Sequence, residues 1–163
     1  MKIKNVTILG STGSIGVNAL KVIKNLKGEV KVIGLSCNKN IDRILEQIKI
    51  FNPLCVSVYN EDAYNLLKKK LTGYKVEVLK GRNGLMEISS MKDNDLIING
   101  LVGSSGMEPT LCAIRKGINV ALANKESLVM AGSLIKKAMN KSGAKIFPLD
   151  SEHSAIWQCL SGE

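Results

Sequence analysis

The fold is decided by a stretch near the start of the chain, Val6-Thr7-Ile8-Leu9-Gly10-Ser11-Thr12-Gly13-Ser14-Ile15-Gly16. A short apolar run leads into three evenly spaced glycines, and a helical pattern then continues to about Asn25. Glycines let the backbone turn tightly and approach a ligand closely. The first N–H groups of a helix have no partner within it, and the helix dipole adds partial positive charge there. The stretch therefore predicts a site for a phosphate or pyrophosphate.

Short apolar strands alternate with amphipathic helices along the rest of the chain. Strands are predicted at residues 5–9, 30–36, 54–59, 75–79, 95–99, 118–123 and 145–149. Helices are predicted at 14–26, 41–51, 61–71 and 126–142, a further helix with Pro109 in its first turn ends near 116, and 81–91 is weakly helical. This order is typical of an α/β fold, a doubly wound, mostly parallel sheet of Rossmann-like type. The expected ligand of the glycine turn is then a dinucleotide; the alternative is a tight turn that binds nothing.

Composition excludes several classes of protein. The 163 residues suffice for one domain. Apolar residues make up 45% of the chain and aromatic residues only 4%, which predicts an aliphatic core. The net charge is +9, but only Arg43, Arg82 and Arg115 among the 23 basic residues are arginines, which argues against nucleic acid as a partner. The cysteines form no Cys-x-x-Cys pair, and no apolar run is long enough to span a membrane. We therefore expect a reduced, cytoplasmic protein that binds neither nucleic acid nor membrane.

The end of the second predicted strand indicates which dinucleotide is bound. An acidic residue there accepts hydrogen bonds from the ribose hydroxyls and favours NAD. The sequence instead reads Ser36-Cys37-Asn38-Lys39-Asn40, with no carboxylate. Because a lysine among small polar side chains suits a 2′-phosphate, NADPH is the expected cofactor. The alternative is a solvated Lys39 beside an Asn40 that only caps the next helix.

A pair of carboxylates follows the last predicted strand, in Asp150-Ser151-Glu152. In an extended segment residues i and i+2 point the same way, so Asp150 and Glu152 are expected to converge. Their hard oxygens suit Mg²⁺ or Mn²⁺. The alternative is that both are ordinary surface carboxylates. His153, the single histidine, is expected either to line this site or to have a structural role.

A second polar cluster, Asn124-Lys125-Glu126, follows the preceding strand at the same predicted edge of the sheet. Lys125 is expected to hold a phosphate or an oxyanion. The alternative is purely structural: Asn124 caps the long helix and Glu126 complements its dipole.

Three motifs together closely resemble the 1-deoxy-D-xylulose 5-phosphate reductoisomerase family: Gly10-Ser11-Thr12-Gly13-Ser14-Ile15-Gly16, Leu122-Ala123-Asn124-Lys125-Glu126-Ser127-Leu128-Val129 and Asp150-Ser151-Glu152-His153. The resemblance implies an NADPH-binding domain over residues 1–149 and the beginning of a catalytic domain over 150–163. It implies conversion of 1-deoxy-D-xylulose 5-phosphate to 2-C-methyl-D-erythritol 4-phosphate in non-mevalonate isoprenoid synthesis. The reaction would be a metal-assisted rearrangement of the carbon skeleton followed by hydride transfer from NADPH.

The resemblance also implies roles for individual residues. Cofactor contacts are implied for Gly10, Thr12, Gly13, Ser14, Ile15, Asn38, Lys39, Asn40, Asn124 and Glu126, where Asn38 replaces a glycine of several members. Substrate contacts are implied for Lys125, Ser151 and Glu152. Asp150 and Glu152 match two ligands of a divalent metal, Mg²⁺, Mn²⁺ or Co²⁺, and with Lys125 they are expected to carry the catalysis.

The resemblance covers the chain from its first strand to its end, but it places the third metal ligand, the substrate-phosphate residues and a mobile loop beyond Glu163. We therefore expect these residues to bind NADPH without turning over the phosphorylated sugar, and a homodimer is implied for the full-length family. Two other functions stay open: another NADP-dependent reductase, and a stand-alone NADPH-binding module without catalysis.

Overall fold

Across residues 3–26 and 28–162, the part of the chain that the computed structural model describes, seven strands alternate with seven helices. The strands are β1 Lys4–Leu9, β2 Val30–Cys37, β3 Cys55–Val58, β4 Glu77–Lys80, β5 Leu96–Asn99, β6 Asn119–Leu122 and β7 Ile146–Pro148. The helices are α1 Ser14–Asn25, α2 Ile41–Phe51, α3 Glu61–Lys70, α4 Gly81–Ser89, α5 Met107–Arg115, α6 Lys125–Ser142 and α7 Ser151–Ser161, and a 3₁₀ turn spans Gly103–Gly106.

All described strands lie parallel in one sheet, in the order β4-β3-β2-β1-β5-β6-β7. The chain starts in the centre at β1, builds outward to β4, and then returns to the other side of β1 with β5. In such a sheet, ligands bind outside the carboxyl ends of the strands near the point where the strand order reverses. The doubly wound parallel fold predicted from the alternation is confirmed, and the glycine turn lies at that reversal.

Helices cover both faces of the sheet, and a separate aliphatic cluster fills each interface. Buried side chains of α1, α2 and α3 pack on one face with Val6 and Ile8 of β1. Buried side chains of α4, α5 and α6 pack on the other face with Leu9 and Ile97. Because successive strand residues point to opposite faces, one strand can supply both clusters. The predicted aliphatic core is confirmed.

The predicted boundaries differ from the structure mainly at the end of the chain. The weak helical pattern over 81–91 is confirmed as α4, whereas β3 and β4 are shorter than predicted. The segment Asp150-Ser151-Glu152 is predicted to be extended, but the extended backbone ends at Asp150, which caps α7, and Ser151 and Glu152 lie within that helix. Among the described helices, none is long and apolar enough to cross a membrane.

We expect Leu35→Ala to lower the free energy of unfolding by about 2–5 kcal/mol, because Leu35 is fully buried in the centre of β2 and its loss leaves a cavity. The matched control is Val129→Ala on α6, where the side chain is 85% exposed and the change should stay within about 0.5 kcal/mol. Urea unfolding followed by circular dichroism measures both. Equal losses in the two variants would contradict the assignment of β2 to the core.

Candidate functional site

The glycine turn connects β1 to α1 through a closed loop held against β2. Gly10 has φ +72°, a left-handed conformation that favours glycine, and its carbonyl accepts a hydrogen bond from the Gly13 N–H at 3.0 Å. The Gly10 N–H donates to Ser36 Oγ at 2.9 Å, and the Ser11 N–H donates to the Ser36 carbonyl at 2.8 Å. The end of β2 therefore fixes the start of the loop.

Gly16 is needed for packing rather than for ligand contact. A Cβ on Gly16 would lie 2.4 Å from Ser11 Cα and 2.5 Å from the Gly10 carbonyl oxygen. Both atoms belong to the backbone and cannot move aside without opening the loop. The absence of a Cβ at Gly16 thus lets the first turn of α1 lie directly on the loop.

The amino end of α1 is open. Gly13 is the N-cap residue and offers no side chain, whereas side chains cap α2, α3, α6 and α7. Thr12 is half-buried, while Gly13, Ser14 and Ile15 are exposed beside the helix N-terminus. The first N–H groups of α1 thus remain available to an anion, as the sequence predicts.

The loop after β2 lies next to this turn. Asn38, Lys39 and Asn40 are all exposed. The Asn40 side chain accepts a hydrogen bond from the Arg43 N–H at 3.2 Å and so caps α2, which is the structural alternative given for it above. Together the three residues present amides and one ammonium, without a carboxylate, to a ligand beyond β2.

A cleft of about 540 Å³ extends from this loop past the ends of β2 and β3. Tyr59, Met86 and Ser105 are among the residues that line it. Arg82 of α4 and Glu108 of α5 form a two-point ion pair at its wall, with nitrogen–oxygen distances of 2.7 and 2.5 Å. The hydrogen bonds of this pair lower the pKa of Glu108 and raise the pKa of Arg82.

A second glycine-containing loop, residues 100–106, is clamped by two buried asparagines at the ends of neighbouring strands. Asn99 of β5 donates to the Gly106 carbonyl at 2.9 Å and accepts from the Leu101 N–H at 3.1 Å. Asn124, after β6, donates to the carbonyls of Leu101 and Gly103 at 2.9 and 2.6 Å. The loop also lies against the glycine turn, because a Cβ on Gly10 would be 3.1 Å from the Gly100 carbonyl oxygen.

Asn124 therefore has a structural role that its sequence position only partly indicates. Its side chain is 2% exposed and also caps α6 by accepting from the Ser127 N–H at 3.0 Å. A contact between the Asn124 side chain and the cofactor stays a prediction. Glu126 is exposed in the first turn of α6, where its charge complements the helix dipole.

Lys125 and the two carboxylates come together because α6 and α7 begin after adjacent strands. Lys125 is the first residue of α6 and Asp150 is the N-cap of α7. Both line a largely apolar pocket of about 270 Å³ with Leu122 and Trp157. The charge of Lys125 makes a smaller contribution to lowering the pKa values of Asp150 and Glu152.

Asp150 has the expected extended backbone, with φ −71° and ψ 151°, but the extended geometry predicted for Ser151 and Glu152 is wrong. Ser151 and Glu152 lie in the first turn of α7, and residues two apart do not share a face of a helix. Asp150 Oδ1 accepts from the His153 N–H at 2.8 Å and lies 2.7 Å from His153 Nδ1. Glu152 Oε2 accepts from the Ser151 hydroxyl at 3.0 Å. His153 thus contacts Asp150 through both its backbone N–H and its ring.

Neighbouring groups lower the pKa values of both carboxylates. The backbone N–H of His153 is the main cause that lowers the pKa of Asp150, with smaller effects from the His153 ring and Lys125. The pKa of Glu152 is lowered mainly by the backbone N–H of Glu152 itself, and also by Ser151 and Lys125, whereas Asp150 raises it. Such oxygens suit Mg²⁺ or Mn²⁺. Within residues 3–26 and 28–162 no group of three or more His, Cys, Asp or Glu residues is placed to hold a metal ion.

Comparison with known proteins decides the family. A family model described as 1-deoxy-D-xylulose 5-phosphate reductoisomerase matches residues 6–132. The chain belongs to this family. The reductoisomerase of Thermodesulfovibrio yellowstonii is 48% identical over 159 residues, which are 98% of this chain and 41% of the relative. That of Buchnera aphidicola is 44% identical over 159 residues, 96% of this chain and 40% of the relative. The chain thus spans about two fifths of the length of these curated reductoisomerases.

Solved reductoisomerase structures agree in fold over nearly the whole chain. One in complex with NADPH, fosmidomycin and magnesium has a TM-score of 0.93 and 39% identity, covering 96% of this chain and 39% of that one. The Zymomonas mobilis reductoisomerase in complex with NADPH has a TM-score of 0.92 and 40% identity, covering 97% and 41%. Homoserine dehydrogenase of Thermoplasma acidophilum, at 22% identity and a TM-score of 0.58, shares the fold alone.

The sequence did not reveal which residues support the reductoisomerase glycine turn. Arg43 and Gln47 of α2 both form hydrogen bonds to it, and Ser36 anchors it from β2. Their spacing held a signal, because residues four apart on a helix share a face and α2 starts directly after residues 38–40. Asn99 was also missed, although it is a polar residue that ends an apolar strand.

We expect Gly16→Ala to lower the free energy of unfolding by about 1–3 kcal/mol or more, because the added Cβ would press into the backbone of Ser11 and Gly10. Gly132→Ala in α6 is the matched control, since nothing lies within 4 Å of a Cβ there and alanine favours a helix by up to about 1 kcal/mol. Thermal unfolding compares the two. If both variants gained stability, the close contact between α1 and the loop would be refuted.

Proposed function

We propose that the protein acts as an NADPH-dependent 1-deoxy-D-xylulose 5-phosphate reductoisomerase, which converts this phosphorylated sugar to 2-C-methyl-D-erythritol 4-phosphate. To residues 1–149 we assign cofactor binding, and to 150–163 the beginning of the catalytic domain. The observation that carries the proposal is the placement of the open α1 terminus, Lys125, Asp150 and Glu152 at the carboxyl ends of one parallel sheet, in a chain of the reductoisomerase family. Cytoplasmic location and a homodimeric full-length enzyme belong to the same proposal.

In the proposed cofactor site, the glycine turn receives the pyrophosphate. The N–H groups at the start of α1, with Gly10, Thr12, Gly13, Ser14 and Ile15 around them, supply hydrogen-bond donors and the positive end of the helix dipole. A relative in this family has been solved in complex with NADPH, which supports the choice of dinucleotide.

The 2′-phosphate of the proposed NADPH lies beside the exposed loop after β2. Asn38, Lys39 and Asn40 offer amide donors and a cation there, and no carboxylate that would repel a phosphate. At the opposite end, the loop clamped by Asn124 borders the glycine turn. Glu126 is exposed beside it at the start of α6 and completes the proposed cofactor contacts.

Asp150 and Glu152 are the residues proposed to hold a divalent metal, with Mg²⁺, Mn²⁺ or Co²⁺ as candidates. Their lowered pKa values and hard oxygens fit such an ion, and a reductoisomerase structure in complex with magnesium supports this assignment. The metal would supply Lewis-acid stabilisation of negative charge on substrate oxygens. His153 fixes the orientation of Asp150, and Lys125 and Ser151 position the polar substrate.

Hydride transfer requires the cofactor and the substrate to meet. Lys125 follows Asn124 directly in the chain, so the residue that binds substrate and the residue that clamps the loop are fixed to each other at the start of α6. A shift of this helix would displace both. The geometry therefore couples the placement of the sugar to the placement of the nicotinamide end of the cofactor.

Gly13→Asp should weaken NADPH binding at least about a hundredfold, because the carboxylate would occupy and repel the phosphate position at the open end of α1. Aspartate is also a favourable N-cap, so α1 should stay folded. Fluorescence titration measures the affinity. Asn140→Asp, which adds the same charge on an exposed residue near the carboxyl end of α6, is the control and should leave it unchanged. Unaltered affinity in the Gly13 variant would contradict the assignment of the turn.

The proposed metal site predicts local broadening of backbone amide NMR signals around residues 150–153 when Mn²⁺ is added. In the double variant Asp150→Asn with Glu152→Gln this broadening should be lost, because both anionic ligands are neutralised. Asparagine at position 150 keeps the cap of α7, so the helix should remain. The control is Glu46→Gln on the exposed side of α2. Undiminished broadening in the double variant would exclude the two carboxylates as ligands.

A further inference from the structure

One face of α2 is hydrogen bonded to two successive peptide carbonyls of the glycine turn. Gln47 Nε2 donates to the Ser11 carbonyl at 2.8 Å, and the Ser11 hydroxyl donates back to Gln47 Oε1 at 2.7 Å. One helical turn earlier, Arg43 Nη1 donates to the Thr12 carbonyl at 3.0 Å. Residues 43 and 47 are four apart, so a single face of α2 makes these contacts.

These hydrogen bonds set the orientation of two peptide planes. Every described peptide is trans, so the N–H of each peptide points opposite to its carbonyl. With the Ser11 carbonyl directed at Gln47, the Thr12 N–H is turned away from α2. With the Thr12 carbonyl directed at Arg43, the Gly13 N–H closes the turn on the Gly10 carbonyl at 3.0 Å. The side chains of α2 thereby orient the donors of the loop.

Burial separates this role from direct contact with a ligand. Gln47 is 6% exposed and Ser11 is fully buried, so Gln47 acts through the backbone it holds. Arg43 is exposed on the same helix face. The backbone of Ser11 and Thr12 is therefore held by a buried amide, from Gln47, and by a guanidinium at the surface, from Arg43.

We infer that Arg43 and Gln47 are positioning residues for the dinucleotide pyrophosphate, because they hold the glycine turn in its binding conformation before the ligand arrives. The inference rests on the proposed NADPH binding. Groups fixed in advance cost less ordering when a ligand binds, so loosening them weakens affinity without removing any direct contact. Affinity should therefore fall for every ligand that has the pyrophosphate and stay unchanged for a ligand that has only the 2′-phosphate.

Binding of three ligands distinguishes the contribution of the pyrophosphate from that of the 2′-phosphate. NADPH has a pyrophosphate and a 2′-phosphate, NADH has only the pyrophosphate, and adenosine 2′-monophosphate has only the 2′-phosphate. Isothermal titration of Gln47→Leu and Arg43→Ala against each should show that each variant weakens NADPH and NADH by the same factor, about tenfold, because each variant frees one peptide carbonyl of the turn from its partner on α2. Adenosine 2′-monophosphate should bind as it does to the wild type.

Lys49→Ala is the matched control, since it removes a cation from the exposed part of the same helix without touching the turn. An amide NMR spectrum of the ligand-free variants adds an independent readout. The Thr12 signal should move in both Arg43→Ala and Gln47→Leu and stay in place in Lys49→Ala. Arg43→Ala changes an exposed side chain, so the test stands even if Gln47→Leu fails to fold.

Two results would overturn the inference. Unchanged NADH affinity in Arg43→Ala and Gln47→Leu would refute the positioning role. Loss of adenosine 2′-monophosphate binding in Arg43→Ala, with NADH unaffected, would make Arg43 a reader of the 2′-phosphate instead. A wild-type protein that binds neither NADPH nor NADH would refute the proposed function itself, which is a different failure.

Discussion

The hydrogen bonds between the glycine turn and Ser36 fix the turn against the end of β2. They join the end of β1 to the end of β2 at the point where the chain leaves the sheet, and they leave Gly10 in a left-handed conformation. From there α1 can start directly on the loop because Gly16 has no side chain. The open helix terminus, the cleft beyond β2 and the contacts from α2 all follow from this junction.

Parallel pairing then brings distant parts of the sequence to one edge. Lys125 and Asp150 lie close because β6 and β7 are neighbours and each is followed at once by a helix. Both helices begin with a polar residue that caps their first backbone N–H groups. The same requirement for a cap therefore places polar and charged groups near the proposed ligand site. At this edge Asn124 and Asp150 cap helices, and the proposal assigns the same two residues to the cofactor and the metal.

Much of the fold was predictable because glycines, apolar strands and helical stripes are local signals. The confirmed order of elements and the aliphatic core are examples. The helical conformation of Ser151 and Glu152 was not predictable from the pleat of a strand, because an aspartate such as Asp150 can end a strand or cap a helix, and here its carboxylate accepts from the His153 N–H at the start of α7. Lys39 and Lys125 could be placed at the sheet edge from sequence, but their ligand contacts remain part of the proposal.

The sequence by itself determined the doubly wound sheet, the glycine turn between the first strand and the first helix, and membership of the reductoisomerase family through three local motifs. Only the tertiary structure decided what holds that turn: Ser36, Arg43 and Gln47 reach it from other elements. The physical reason is that a turn's shape is encoded by its own glycines, whereas its rigidity comes from hydrogen bonds to partners 25 to 36 residues away.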